Sequence, residues 1–105
     1  MLRMTPKECF DQLGSDQPPV LLDVREDWEL AIAGLSAAIH IPMDQVPERL
    51  AELDKERPVV VMCRSGARSM QVASYLVQNG FPQVFNLEGG ILAWSEQVDR
   101  SIPSY

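Results

Sequence analysis

Cysteine and histidine are scarce in this chain: two cysteines, Cys9 and Cys63, and one histidine, His40, in 105 residues. The cysteines stand far apart, in neither a Cys-x-x-Cys pair nor a zinc-ligand spacing, so neither a disulfide framework nor a metal centre is expected. A reducing compartment would keep both as thiols. Long apolar runs are also missing, since none approaches the roughly 18 residues that a membrane span takes. The start, Met1-Leu2-Arg3-Met4-Thr5, has no apolar signal core, so a cytoplasmic protein without a membrane partner is expected. Positive charge is in deficit: 9 Lys and Arg against 15 Asp and Glu give a net charge of -6, which repels phosphate backbones and argues against a nucleic-acid partner. With no repeat and no low-complexity tract, the chain is expected to form one domain over residues 1–105.

The apolar pattern alternates between short runs and helical stripes. Leu2 to Met4 reads as a strand, followed by a helix opened by Thr5-Pro6-Lys7-Glu8, a capping box with proline at the first helical position. Cys9, Phe10 and Leu13 are expected on its inner face. Val20 to Val24 is an unbroken apolar run of the kind that a sheet covered on both faces requires. A short helix around Trp28 to Ile32 and a third strand at Ala38 to Ile41, stopped by Pro42, come next. Val46, Leu50 and Leu53 suggest a helix capped by Asp44. Val59 to Met62 is a fourth strand and Val84 to Leu87 a fifth. Between them lies a helix with the stripe Met70, Ala73, Leu76 and Val77, capped at Gly80. Ile91, Trp94 and Val98 mark a last helix. This alternation predicts an α/β fold with a central five-stranded, mainly parallel sheet and helices on both faces, binding ligands at the carboxyl ends of its strands.

The fourth strand runs directly into Cys63-Arg64-Ser65-Gly66-Ala67-Arg68-Ser69, and the next helix starts within or just after this loop. A helix N-terminus directs unpaired N–H groups and a positive dipole end towards the sulfur. Gly66 lets the backbone curl so that successive N–H groups of the loop can form an anion cradle. Arg64 and Arg68 add charge. Together these favour a thiolate without a separate base, which suits a chain whose one histidine lies elsewhere.

These residues resemble the rhodanese family over nearly the whole chain. Leu21-Leu22-Asp23-Val24-Arg25-Glu26 is similar to the family's aspartate-x-arginine strand end, Cys63 to Ser69 to its active-site loop, and Asn86-Leu87-Glu88-Gly89-Gly90-Ile91-Leu92-Ala93-Trp94 to its C-terminal signature. The resemblance implies a three-layer rhodanese-like domain. It also implies a thiosulfate sulfurtransferase in which Cys63 takes a sulfane sulfur as a persulfide and passes it to cyanide or a thiol. By the same implication the Arg64–Arg68 N–H groups hold the persulfide. Arg25, Arg64 and above all Arg68 bind a small sulfur-bearing anion, Asp23 and Ser69 support the site, and neither metal nor organic cofactor takes part. Partners would be such anions and thiol or sulfur-relay proteins. Where the family usually has a Gly-His-Ile-Pro-Gly type stretch, this chain has Ala33-Gly34-Leu35-Ser36-Ala37.

Related phosphatases carry five residues between cysteine and arginine, and this chain carries four between Cys63 and Arg68. That favours sulfur transfer over a phosphatase or arsenate reductase on the same fold. The alternative from another class is a non-enzymatic persulfide carrier or protein-interaction module, loaded only by a partner. Asp23 is read first as a structural acceptor for loop N–H groups, and Arg25 as either a partner of Asp23 or Glu29 or a donor-binding residue. His40 is read as merely hydrogen-bonded, Cys9 as an inert core thiol, and Trp28 and Trp94 as core or pocket-wall aromatics. The acidic run Glu48, Glu52, Asp54 and Glu56 reads as a solvated face.

Overall fold

In the computed structural model, which describes residues 2–105 and leaves Met1 outside, five parallel strands form one sheet. They are β1 (Leu2–Met4), β2 (Val20–Asp23), β3 (Ile39–His40), β4 (Val59–Met62) and β5 (Val84–Leu87), in the spatial order β1-β5-β4-β2-β3. Helices α1 (Pro6–Leu13), α2 (Asp27–Ile32), α3 (Ala67–Gln78) and α4 (Gly90–Gln97) alternate with them. From β2 the chain steps outwards to β3, whereas from β4 it steps the opposite way to β5. The reversal opens a crevice at the carboxyl ends of β2 and β4, where open α/β sheets bind ligands. Asp23 pairs in register with Met62, so Val24 and Cys63 leave the sheet side by side, with Arg25 one residue further on.

Strand alternation sorts the core into two clusters, one on each face. Val20, Leu22, Val24, Val59, Val61 and Cys63 face one way, onto Val72, Ala73 and Leu76 of α3. Leu21, Val60 and Met62 face the other way, with Cys9, Leu87, Ile91 and Trp94. Burying such a side chain contributes about 1.5–3 kcal/mol, so the doubly covered strands β2 and β4 anchor the fold. Thr5 closes the expected capping box with Glu8, through bonds of 2.9 and 3.1 Å. At the end of α3 the Phe81 N–H bonds the Leu76 carbonyl and the Gly80 N–H bonds that of Val77, turning Phe81 into the core.

Several expectations need correction. The helix suggested by Val46, Leu50 and Leu53 is two short 3₁₀ turns, Met43–Gln45 and Pro47–Glu52, held by i to i−3 bonds such as Arg49 N–H to Val46 O. Pro47 has no N–H to give to the carbonyl of Met43, and Arg49 leaves helical geometry at φ -118°. Phe10 is 56% exposed because its neighbour Cys9 takes the inner face of α1. On α3 the inner positions are Ser69, Val72, Ala73 and Leu76, which leaves Met70 and Val77 outside. Trp28 is not a core residue but lies 62% exposed. Among the described residues no helix is long and apolar enough to cross a membrane, and no group of three or more His, Cys, Asp or Glu could hold a metal.

Candidate active site

Cys63 follows β4 with its side chain on the α3 side and is 1% exposed. Gly66, at φ +112°, takes a left-handed turn that other residues adopt only under strain, and its N–H donates to Cys63 Sγ at 3.1 Å. The loop carbonyls point elsewhere. Those of Cys63 and Arg64 accept the Ile91 and Leu92 N–H groups, at 2.9 and 3.2 Å, from the first turn of α4. Gly90 allows this approach, because at its φ of +60° a Cβ would stand 2.4 Å from the Arg64 oxygen and 2.5 Å from that of Cys63. Carbonyls are thus tied outwards to one helix, which leaves N–H groups on the sulfur at the start of another.

Burial by itself would raise the Cys63 thiol. The Ser69 hydroxyl and the backbone N–H groups of Ser69, Gly66 and Ser65 outweigh it, and the net direction is downwards. Cys9, equally enclosed without such donors, is pushed up to about 11. The Ser69 hydroxyl has a single proton, for which Asn86 Oδ1 at 2.5 Å competes with Cys63 Sγ at 3.3 Å. Asn86 is oriented by its Nδ2, which donates to the Gly66 carbonyl at 3.1 Å. The peptide N–H groups are therefore the fixed part of the cradle, and the Ser69 hydroxyl is the adjustable part.

All three arginines expected to bind an anion already have partners. Arg25 is wholly buried: it grips the Asp23 carboxylate with Nε and Nη2, donates from Nη2 to the Ala33 carbonyl at 2.8 Å and from Nη1 to the Tyr105 hydroxyl at 2.8 Å. Asp23 also accepts the Arg25 peptide N–H at 3.1 Å, the structural role read from the sequence. Arg68 sets both Nη atoms on Glu29 at 2.6 and 2.8 Å. Glu29 Oε2 accepts the Tyr105 hydroxyl as well, at 2.6 Å. The exposed Arg64 gives its Nε and Nη2 to the main-chain oxygen of Tyr105. His40 Nε2 lies 2.6 Å from the Arg25 carbonyl, consistent with a hydrogen-bonding role. Ser65 and Ala67 stand at the exposed rim of the loop, whereas Ser69 is buried beneath it.

Three positions that contact the loop were not singled out from the sequence, Asn86, Gly90 and Tyr105, and Glu29, read as a possible partner of Arg25, binds Arg68 instead. Asn86 and Gly90 lay within a recognised signature without a role of their own. Glu29 and Tyr105 meet the loop across 39 and 41 residues, a distance no local pattern reports. Glu29 carries a measurable consequence. Its hydrogen bonds with Arg68, acting against burial and joined by those from Tyr105 and the Glu26 N–H, lower its carboxyl from 4.5 to about 2. A depressed carboxylate contributes stability that is complete above the unfolded value and is lost as pH falls towards the folded one. Between about pH 4.5 and 2 the wild type is expected to lose on the order of 3 kcal/mol through this group. Acid titration of unfolding free energy should give a shallower slope for Glu29→Gln over that interval, and equal slopes would remove the assignment.

A family model described as the rhodanese-like domain matches residues 5–97. A sulfurtransferase from Allochromatium vinosum is 43% identical over 96 residues, 90% of each chain. A putative sulfurtransferase, YtwF, from Bacillus subtilis is 45% identical over 88 residues, 84% of each. The crystal structure of a rhodanese-like domain protein from Staphylococcus aureus superposes with a TM-score of 0.85 at 33% identity, covering 100% of this chain and 99% of its own. With the parallel sheet, the crevice and the cysteine loop at its mouth, these matches establish that the chain belongs to the rhodanese-like family.

Proposed function

We propose that this protein is a thiosulfate-type sulfurtransferase that carries a sulfane sulfur on Cys63 to cyanide or a thiol acceptor. The observation behind this reading is the partial ring of Gly66, Ser65 and Ser69 N–H groups at Cys63 Sγ, closest at Gly66 at 3.1 Å, with the Cys63 and Arg64 carbonyls drawn off by α4. Such a ring holds one anionic sulfur, first as thiolate and then as the outer atom of a persulfide. The Cys63 thiolate attacks the outer sulfur of thiosulfate, the sulfur–sulfur bond of the donor breaks, and its electron pair leaves with sulfite. Cyanide then attacks the outer sulfur of the persulfide; thiocyanate leaves, and the thiolate returns to the same N–H groups. Charge is conserved in both halves, so no proton needs to be moved. That agrees with the absence of a histidine among the residues bonded to Cys63.

Phosphate ester hydrolysis fits less well, because the loop is one residue shorter than in related phosphatases and Arg68 is held bidentately by Glu29. Initial rates measured while thiosulfate and cyanide are both varied should give parallel double-reciprocal lines, the pattern of a covalent intermediate. Intersecting lines would contradict it. Loading only from a partner persulfide protein, with none from free thiosulfate, would replace the enzyme by a sulfur carrier.

A further inference from the structure

Tyr105 lies across the mouth of the loop and touches both of its arginine systems. Its main-chain oxygen takes Arg64 Nε and Nη2, the residue directly after Cys63. Its ring centroid is 5.2 Å from the Arg64 guanidinium carbon and 5.6 Å from that of Arg25, and Trp28 stands edge-on to it at 6.4 Å. Its hydroxyl accepts from Arg25 and donates to Glu29, the carboxylate that holds Arg68. The rest of the 101–105 segment is held at Ser101, whose N–H and hydroxyl donate to Asp99 Oδ1 at 3.0 and 2.6 Å, and at Ile102, through Ser95 Oγ at 2.5 Å and the Asp99 carbonyl at 3.2 Å. Pro103 and Ser104, between Ile102 and Tyr105, are exposed.

This seat has a consequence for the donor. Arg25 and Arg68 are each matched by a carboxylate, Asp23 and Glu29, so neither offers spare charge. Arg64 is the loop arginine whose guanidinium faces no side-chain carboxylate among the described residues, and its Nε/Nη2 edge is the fork that binds a planar pair of anionic oxygens. The main-chain oxygen of Tyr105 occupies that edge. The sulfonate end of thiosulfate needs it, whereas the sulfur end needs only the N–H ring.

We infer that Tyr105 is a specificity-determining residue of the sulfur-transfer site, one that competes with sulfonate-bearing donors for Arg64 and so favours donors that need no guanidinium, such as alkyl hydropersulfides. The inference rests on the sulfur-transfer reading. With a hydropersulfide R–S–SH the Cys63 thiolate attacks the outer sulfur, the donor's sulfur–sulfur bond breaks, its electron pair leaves on R–S⁻, and the proton carried by the outer sulfur passes to that leaving group to give R–SH. Cys63 is left as its persulfide anion, the same product that thiosulfate gives.

The test compares wild type, Tyr105→Ala, Tyr105→Phe and Arg64→Ala with two donors: thiosulfate and a neutral alkyl hydropersulfide released in situ. In Tyr105→Ala the KM for thiosulfate should fall at least about fivefold at similar kcat, while loading by the hydropersulfide changes less than about twofold. Both variants keep the main-chain oxygen, but Tyr105→Ala loses the ring and hydroxyl that seat it on Arg64, whereas Tyr105→Phe loses only the hydroxyl anchor, should move the same way by less and covers the case of a poorly folded alanine variant. In an Arg64→Ala background the thiosulfate effect of Tyr105→Ala should vanish, which a purely structural role of the tyrosine would not produce. An unchanged or raised thiosulfate KM in both tyrosine variants, with hydropersulfide loading intact, overturns the inference alone. No loading of any variant from either donor overturns the sulfur-transfer reading and the inference with it.

Discussion

Cys63→Ser is expected to fold as the wild type does and to lose sulfur turnover by about 10⁴-fold or more, the scale seen when a nucleophile acting with its surroundings as a unit is removed. The exchange is nearly isosteric at a site 1% exposed, and the new hydroxyl finds partners in the Ser69 hydroxyl and the Gly66 N–H, so no buried polar group is stranded. What is lost is chemical. Four groups lower the thiol against the burial that raises it, and no such arrangement brings an aliphatic hydroxyl to ionise near neutral pH. Thermal melting within a few degrees of wild type, together with baseline turnover, is the expected pair of results. Turnover within tenfold of wild type would take Cys63 out of the chemistry.

Gly90→Ala should produce the largest loss of stability of any single methyl group added near the site. A left-handed φ costs a non-glycine residue about 1–2 kcal/mol, and the new Cβ would meet backbone oxygens of Cys63 and Arg64 at 2.5 and 2.4 Å. Backbone cannot swing aside as the end of a flexible side chain can, so the contact between α4 and the loop must open. A destabilisation of at least about 3 kcal/mol is expected. Turnover should fall by about 10² or more, because the carbonyls that α4 holds outwards would be free to turn towards the sulfur. Gly14→Ala is the control: its added Cβ meets nothing closer than 3.6 Å at an ordinary φ, and it should lie within about 0.5 kcal/mol of wild type. Denaturant unfolding of the two variants measures the contrast, and equal midpoints would mean that the Gly90 contact carries no weight.

The elements most legible in the sequence were those whose signals are local. An uninterrupted apolar run such as Val59 to Met62 has no alternative but a strand covered on both sides, and Thr5 with Glu8 three residues on is a complete capping unit. The cysteine loop was legible for the same reason, since its glycine, its cysteine and the following helix are contiguous. The helix expected at Val46 to Leu53 failed because apolar spacing outranked Pro47 in the reading, and a 3₁₀ turn with i to i+3 bonds places those residues inwards almost as well. On α3 the stripe holds at Ala73 and Leu76, which are buried with Ser69 and Val72, but not at Met70 and Val77, which lie exposed.

What the sequence did not yield is the partner of each charge. Arg68 looked like a free anion-binding residue because nothing near it in sequence opposes it, yet Glu29 folds onto it from α2 and Tyr105 joins them. Asp23 and Arg25, two residues apart, were the pair that local reasoning could anticipate. A buried guanidinium without a carboxylate is costly, so the count of arginines near the crevice implied such partners without identifying them.

The central claim is that sulfur passes through a covalent persulfide on Cys63, and intact-protein mass spectrometry after exposure to thiosulfate without reductant tests it most directly. The account predicts that wild type and Cys9→Ser gain the mass of one sulfur atom, that cyanide removes it, and that Cys63→Ser never acquires it. A wild-type protein that turns thiosulfate over without ever showing that mass, or a Cys63→Ser variant that still gains it, would contradict the account.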